Sequence, residues 1–175
     1  MTDALHTALR SIHIILGMAG FLLGAWAIFA PKFGQGSRWH RYVGRGYAVS
    51  MLGMGLLSVP LAWRQGDILL LMIGLVTLGW VAAGWLFLRQ FLQARAAGRP
   101  DRAASRLRLH INMMGSSYIA AWTAFLVNVQ PLGTGGLWMT LYIAVPSVVG
   151  SLAIARAMIR QSAPGPSSAG KGVGV

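Results

Sequence analysis

Five long apolar runs, each about twenty residues in length, separate the charged residues of this sequence. An α-helix of that length matches the thickness of the hydrocarbon core of a bilayer. The runs are apolar all round rather than amphipathic, which is typical of membrane spans. We therefore predict an all-α integral membrane protein, a bundle of five transmembrane helices. These spans lie at about 9–29, 43–63, 68–91, 109–129 and 137–158.

The composition supports this fold class and excludes several kinds of site. The chain is 55% hydrophobic and 10% charged, with a mean hydropathy of +0.60, which is too apolar for an ordinary soluble domain. Cysteine is absent, which excludes disulfides, iron–sulfur clusters and thiol nucleophiles. The net charge of +12 lies beside the apolar runs, which favours anionic lipid headgroups over nucleic acid as the partner.

The positive charge also predicts the orientation of the bundle. Of the 15 lysine and arginine residues, only Arg10 and Arg64 fall on one side of the predicted spans. The positive-inside rule then places the N-terminus outside and the C-terminus in the cytoplasm of a bacterial inner membrane. Residues 1–160 form a single predicted domain, and the Pro-, Gly- and Ser-rich tail at 161–175 is predicted to be disordered.

One face of the first span combines a histidine with three glycines. His13, Gly17, Gly20 and Gly24 follow one another at steps of four, three and four residues, so they share a helical face. Glycines at this spacing let a neighbouring helix approach closely, and we predict that they serve helix packing. His13 is an intramembrane residue to which the pattern assigns no role.

Two further histidines lie beside arginines where a basic segment enters an apolar span. His40 begins the second span and His110 the fourth. Both spans run outward from the cytoplasm in the predicted topology, so the two histidines enter at similar depth. Ionisable residues at membrane depth are costly and usually mark function.

These motifs resemble those of a family of bacterial membrane proteins catalogued as domain of unknown function 2306. The resemblance covers roughly residues 10 to 130 and implies a polytopic membrane protein without implying a reaction. A second resemblance, to small four-helix b-type cytochromes, rests on histidines carried by separate helices. The residues that carry the family resemblance are His13-x-x-x-Gly17, His40-Arg41-x-x-Gly44-Arg45-x-Tyr47, and Arg108-x-His110 with Ser117-Tyr118.

The first interpretation is an accessory, structural or lipid-binding subunit, for which a larger membrane complex is a candidate partner. Helix N-termini attract anions through free N–H groups and the helix dipole. Basic pockets on the cytoplasmic side commonly bind lipid headgroups. The candidate anion-binding residues are Arg41, Arg45, Arg106, Arg108 and Tyr47.

The alternative is a b-type haem protein linked to quinone electron transfer. His40 and His110 would supply both axial ligands from two parallel helices. The neighbouring arginines would then donate to the haem propionates, and Tyr47 is a hydrogen-bonding candidate for a quinone.

A small transporter, relaying protons between His13, His40 and His110, is a further alternative, although no predicted span contains a carboxylate. We assign no catalytic residues and no metal site. A zinc hydrolase needs three converging ligands and a base, and a Ser-His-Asp site needs a buried acid beside a histidine.

Overall fold

The computed structural model describes residues 3–29 and 36–162, which form five α-helices and no strands. Each predicted span lies inside one of these helices. The predicted disorder after residue 162 and the loop at 30–35 lie outside the described residues. The helices are α1 (Asp3–Phe29), α2 (Gly36–Gln65), α3 (Ile68–Ala96), α4 (Pro100–Val129) and α5 (Gly136–Ser162).

The helices extend well beyond the predicted spans at the basic end. The segment predicted as a basic loop between the third and fourth spans is almost entirely helical, because α3 continues to Ala96 and α4 begins at Pro100. Hydropathy detects the part of a helix that matches a bilayer, whereas the ends are determined by residues that stop a helix. Here Gly98 adopts a positive φ of 65°, and Pro100 occupies the first turn of α4.

A second short connector joins α2 to α3. Gly66 adopts a φ of 69°, a left-handed conformation that glycine tolerates without a steric cost. Asp67 then caps α3, with its carboxylate accepting a hydrogen bond from the backbone N–H of Leu70 at 3.0 Å. At the same end of the bundle, Arg64 pairs with the exposed Asp3 at 3.1 Å, which joins the start of α1 to the end of α2.

Four helices form a ring, and the fifth lies outside it. Each helix packs against the next in the chain, and α1 also approaches α4 over a short stretch. Helix α5 packs against α4. The centre of the ring is filled by Tyr47, Met51, Val81 and Ala121, with Met114, Tyr118 and other partly buried side chains packed around them.

The outer surface of this bundle is apolar. Large side chains such as Ile15, Leu22, Val49 and Val149 are more than half exposed. A contiguous apolar exterior of this kind marks a membrane-facing surface rather than a surface in water. Four of the five helices, α1, α2, α3 and α5, are long and apolar enough to cross a membrane.

The glycine face of α1 lies against α2 and α4. The sulfur of Met54 is the atom nearest to Gly17, and the sulfur of Met51 is nearest to Gly20. Gly24 makes the closest approach, since a Cβ atom placed there would lie 2.6 Å from the ring of Tyr118. Close contact at glycine is a usual way for membrane helices to pack.

Replacing Gly24 with alanine should therefore destabilise the bundle, because the new methyl group meets the rigid rings of Tyr118 and Tyr47. We expect a loss of about 1–3 kcal/mol from overpacking, seen as a lower unfolding temperature of the detergent-solubilised protein. Gly79→Ala is the matched control, because a Cβ atom at Gly79 has no neighbour within 4 Å. Equal unfolding temperatures for the two variants would contradict this assignment of Gly24.

Candidate functional site

His40 is a half-buried residue in the second turn of α2, and its ring is directed at α1. Its Nδ1 atom lies 3.2 Å from the carbonyl oxygen of Ala27. Ala27 is in the last turn of α1, where carbonyl groups lack helical partners. The residue four positions later is Pro31, which has no N–H to donate. His40 therefore supplies a side-chain partner to a carbonyl in the last turn of α1.

His110 makes the equivalent contact between the other two helices of the ring. Its Nδ1 atom lies 2.8 Å from the carbonyl oxygen of Gly84 on α3. Gly84 is buried, and the sulfur of Met114 packs over it. The two histidines that the sequence singled out thus contact different neighbours, His40 the helix α1 and His110 the helix α3.

The carbonyl partners determine which ring nitrogen carries the proton. A carbonyl oxygen only accepts hydrogen bonds, so Nδ1 of each histidine donates. In the neutral imidazole the lone pair then lies on Nε2. Histidines that bind metals are usually oriented in this way, with one nitrogen donating to a carbonyl or carboxylate and the other available for the metal. The pair therefore has the donor chemistry of an axial-ligand pair.

His13 makes the same kind of contact at the opposite end of the ring. Its Nδ1 atom lies 3.0 Å from the carbonyl oxygen of Met54, which joins α1 to α2. It does not lie with His40 and His110, so the three histidines do not form a continuous relay. The repeated contact also shows that a histidine in this fold can serve packing alone.

Three of the four arginines predicted to bind anions, Arg41, Arg45 and Arg108, are exposed. Arg106 is half-buried, with its guanidinium carbon 5.7 Å from the centre of the Phe87 ring, a cation–π contact. The basic side chains therefore surround the end of the ring at which the histidines lie.

Tyr47 is separate from these arginines. It is 3% exposed, and its hydroxyl group lies 2.8 Å from the Oγ atom of Ser117. Because Ser117 donates its own hydroxyl hydrogen to the carbonyl oxygen of Met114, Tyr47 is the donor to Ser117, and its hydroxyl group lies 3.4 Å from the same carbonyl oxygen. Tyr47 therefore belongs to the core between α2 and α4 and does not contribute to an exposed anion site.

Gly44, one helical turn from His40 on α2, has open space next to it. A Cβ atom placed at Gly44 would meet nothing within 4 Å, although its neighbours Val43 and Tyr47 are buried. The sequence analysis did not identify this space, because a glycine at helical spacing predicts close packing. Among the residues that the structure describes, no three histidine or acidic side chains converge on a metal site.

Comparison with models of known families, with curated proteins and with solved structures found no match to this chain. The family resemblance carried by the histidine and arginine motifs stays a prediction.

Proposed function

We propose that this chain is a multi-pass membrane protein that binds one b-type haem between His40 and His110 and transfers electrons within the membrane. The observation that carries the proposal is that each of the two imidazoles is oriented at Nδ1 by a carbonyl of a neighbouring helix. A ring held in this way has a fixed orientation, and Nε2 would be the atom that binds iron. A haem held by these two residues would carry one electron at a time.

The surroundings of the histidines fit a planar, anionic group. The open side of Gly44 gives room next to His40. The arginines at this end of the ring are the charge-assisted donors that haem propionates require, and Arg41 and Arg45 extend from the same helix as His40. A membrane quinone is the expected electron partner. Tyr47 takes no direct part in quinone binding, because its hydroxyl group is already bonded within the core.

The proposal includes five membrane crossings, with the N-terminus outside and the C-terminus in the cytoplasm of a bacterial inner membrane. Helix α4 is the one described helix without a stretch apolar enough to count as a span by composition alone. It is enclosed by α1, α3 and α5, so its polar side chains need not meet lipid. Because α3 and α4 pack along each other after a short connector, a crossing by α3 favours a crossing by α4.

Binding of anionic lipid headgroups is a second candidate function. The exposed positions of Arg41, Arg45 and Arg108 favour it, because lipids can reach these side chains without entering the bundle. This function also fits an accessory subunit of a larger membrane complex, and it does not require the histidines.

Replacing either axial histidine should remove the haem. We expect His40→Ala and His110→Ala to lose the Soret band and the sharp α and β bands of the dithionite-reduced protein, while remaining monodisperse in detergent. His13→Ala is the matched control, because it breaks a similar imidazole–carbonyl contact at the other end of the ring. A wild-type protein without visible bands after expression with haem precursor, or an His110→Ala variant that keeps them, would overturn the haem proposal.

Filling the space at Gly44 gives an independent test of the same site. Gly44→Leu should lower the haem content while leaving the unfolding temperature of the haem-free protein nearly unchanged, since the new side chain enters open space. Haem content is measured by the pyridine haemochrome absorbance per protein. Full haem loading of Gly44→Leu would show that this space is not part of the site.

The topology is testable with single cysteines, because the chain has none of its own. A membrane-impermeant maleimide added to spheroplasts should label Thr134→Cys, in the connector after α4, and should label Ser105→Cys only after lysis. Labelling of both positions from the same side would show that α4 does not cross the membrane.

Lipid binding is tested by removing single charges. Arg45→Gln should lower the amount of phosphatidylglycerol that copurifies with the protein, as measured by mass spectrometry. Arg64→Gln, at the opposite end of the bundle, is the control. Equal lipid retention in the two variants would contradict a headgroup site at Arg45.

A further inference from the structure

We infer that the hydrogen bond between Tyr47 and Ser117 fixes the register of α2 against α4 and thereby sets the relative depth of His40 and His110. The inference rests on the proposed function only for its consequence at the haem. The register itself is a property of the helices. Tyr47 and Ser117 are thus positioning residues that act on the site through the helices that carry them.

The helices that carry the two histidines, α2 and α4, are not in direct backbone contact. Within the described residues, no Cα atom of α2 comes within 8 Å of a Cα atom of α4. The helices lie across the ring from each other, with α1 and α3 on either side. Something other than backbone packing must therefore determine how far one helix slides along the other.

The Tyr47 side chain spans this gap. Its hydroxyl group lies 2.8 Å from Ser117 Oγ, and both residues are buried, with Ser117 at 0% exposure. The hydroxyl of Ser117 in turn donates to the carbonyl oxygen of Met114 at 2.8 Å. A hydrogen bond with no access to water forms only within narrow limits of distance and angle. An axial slip of α2 by one residue, about 1.5 Å, would lengthen the bond and tilt it away from its preferred angle, which weakens it.

The bond occupies the same position relative to each histidine. Tyr47 follows His40 by seven residues on α2, and Ser117 follows His110 by seven residues on α4. Seven residues make almost two helical turns and advance about 10 Å along the axis. The histidine and the bonded residue of each helix therefore share a face. Because the two offsets are equal and the helices run in parallel, joining Tyr47 to Ser117 brings the histidines to equal depth.

A second tyrosine holds α4 against α1 and provides the matched control. Tyr118 donates from its hydroxyl group to the carbonyl oxygen of Phe21 at 3.2 Å, and its ring contacts the ring of Tyr47 edge-on at 6.1 Å. Tyr118→Phe keeps both rings and removes one buried hydrogen bond from the same layer of the core. It leaves the connection between α2 and α4 unchanged.

The test measures the register directly, in the full-length protein in nanodiscs. Spin labels are attached to Tyr42→Cys on α2 and Ser105→Cys on α4, both exposed positions near the histidine end, and double electron–electron resonance gives their separation. Tyr47→Phe and Ser117→Ala should each broaden the distance distribution or shift its mean by about 1.5 Å, the rise of one residue. The double variant should change it no further, and Tyr118→Phe should leave it as in the parent.

The haem provides the second readout. In the haem-loaded protein, Tyr47→Phe should alter the low-spin electron paramagnetic resonance signal, which depends on the relative orientation of the two axial imidazoles. A distance distribution that is the same with and without the Tyr47 hydroxyl would overturn the inference, whatever the haem content. A changed distribution in a chain that binds no haem would overturn the proposed function instead and would support the register role.

Discussion

This structure depends on close contact between its helices. In a membrane that contact has to form without a hydrophobic effect to drive the helices together. Lipid chains are as apolar as leucine, so membrane helices associate through packing and hydrogen bonds. The chain meets this requirement in two ways. Glycines let side chains from the next helix rest on the backbone of α1, and three histidines each donate to a carbonyl of a neighbouring helix. Each such hydrogen bond contributes roughly 0.6–2 kcal/mol.

These histidine contacts serve both packing and the proposed site. An imidazole that donates from Nδ1 to a carbonyl is held in one tautomer and one orientation, which is what a ligand to iron requires. His13 makes the same kind of contact elsewhere in the ring. What distinguishes His40 and His110 is the basic side chains at their end of the ring and the open side of Gly44. The proposed function depends on that combination rather than on any one histidine.

Much of the helical architecture was predictable, because uncharged runs of bilayer length leave few alternatives to a helix. The ends of the helices were less predictable. The segment around Arg95 and Arg102 is helical although it is too polar to cross a membrane, so hydropathy alone missed it. The register of Gly17, Gly20 and Gly24 followed from periodicity, but the identity of their partners, such as Tyr118, depends on the arrangement of the ring.

The candidate site was predictable in part. The similar depth of His40 and His110 stays a prediction from parallel spans, whereas their contacts with the carbonyls of Ala27 and Gly84 come from the structure. Sequence spacing also grouped Tyr47 with the arginines, and the structure instead pairs it with Ser117. The hydroxyl group of Tyr142 binds the connector at Leu132 and Gly133. These hydrogen-bond partners lie in other segments of the sequence, and no local sequence pattern predicts them.

The short connector between α3 and α4 has a consequence for biogenesis. Helix α4 has no stretch as apolar as those of the other four described helices, so it gains less from entering lipid alone. Gly98 and Pro100 reverse the chain within a few residues, so α4 lies beside α3 as soon as both have been synthesised. In the proposed topology the two helices then enter the bilayer as one hairpin, with the polar face of α4 already covered. The order of synthesis thus helps a helix that carries a proposed ligand to cross the membrane.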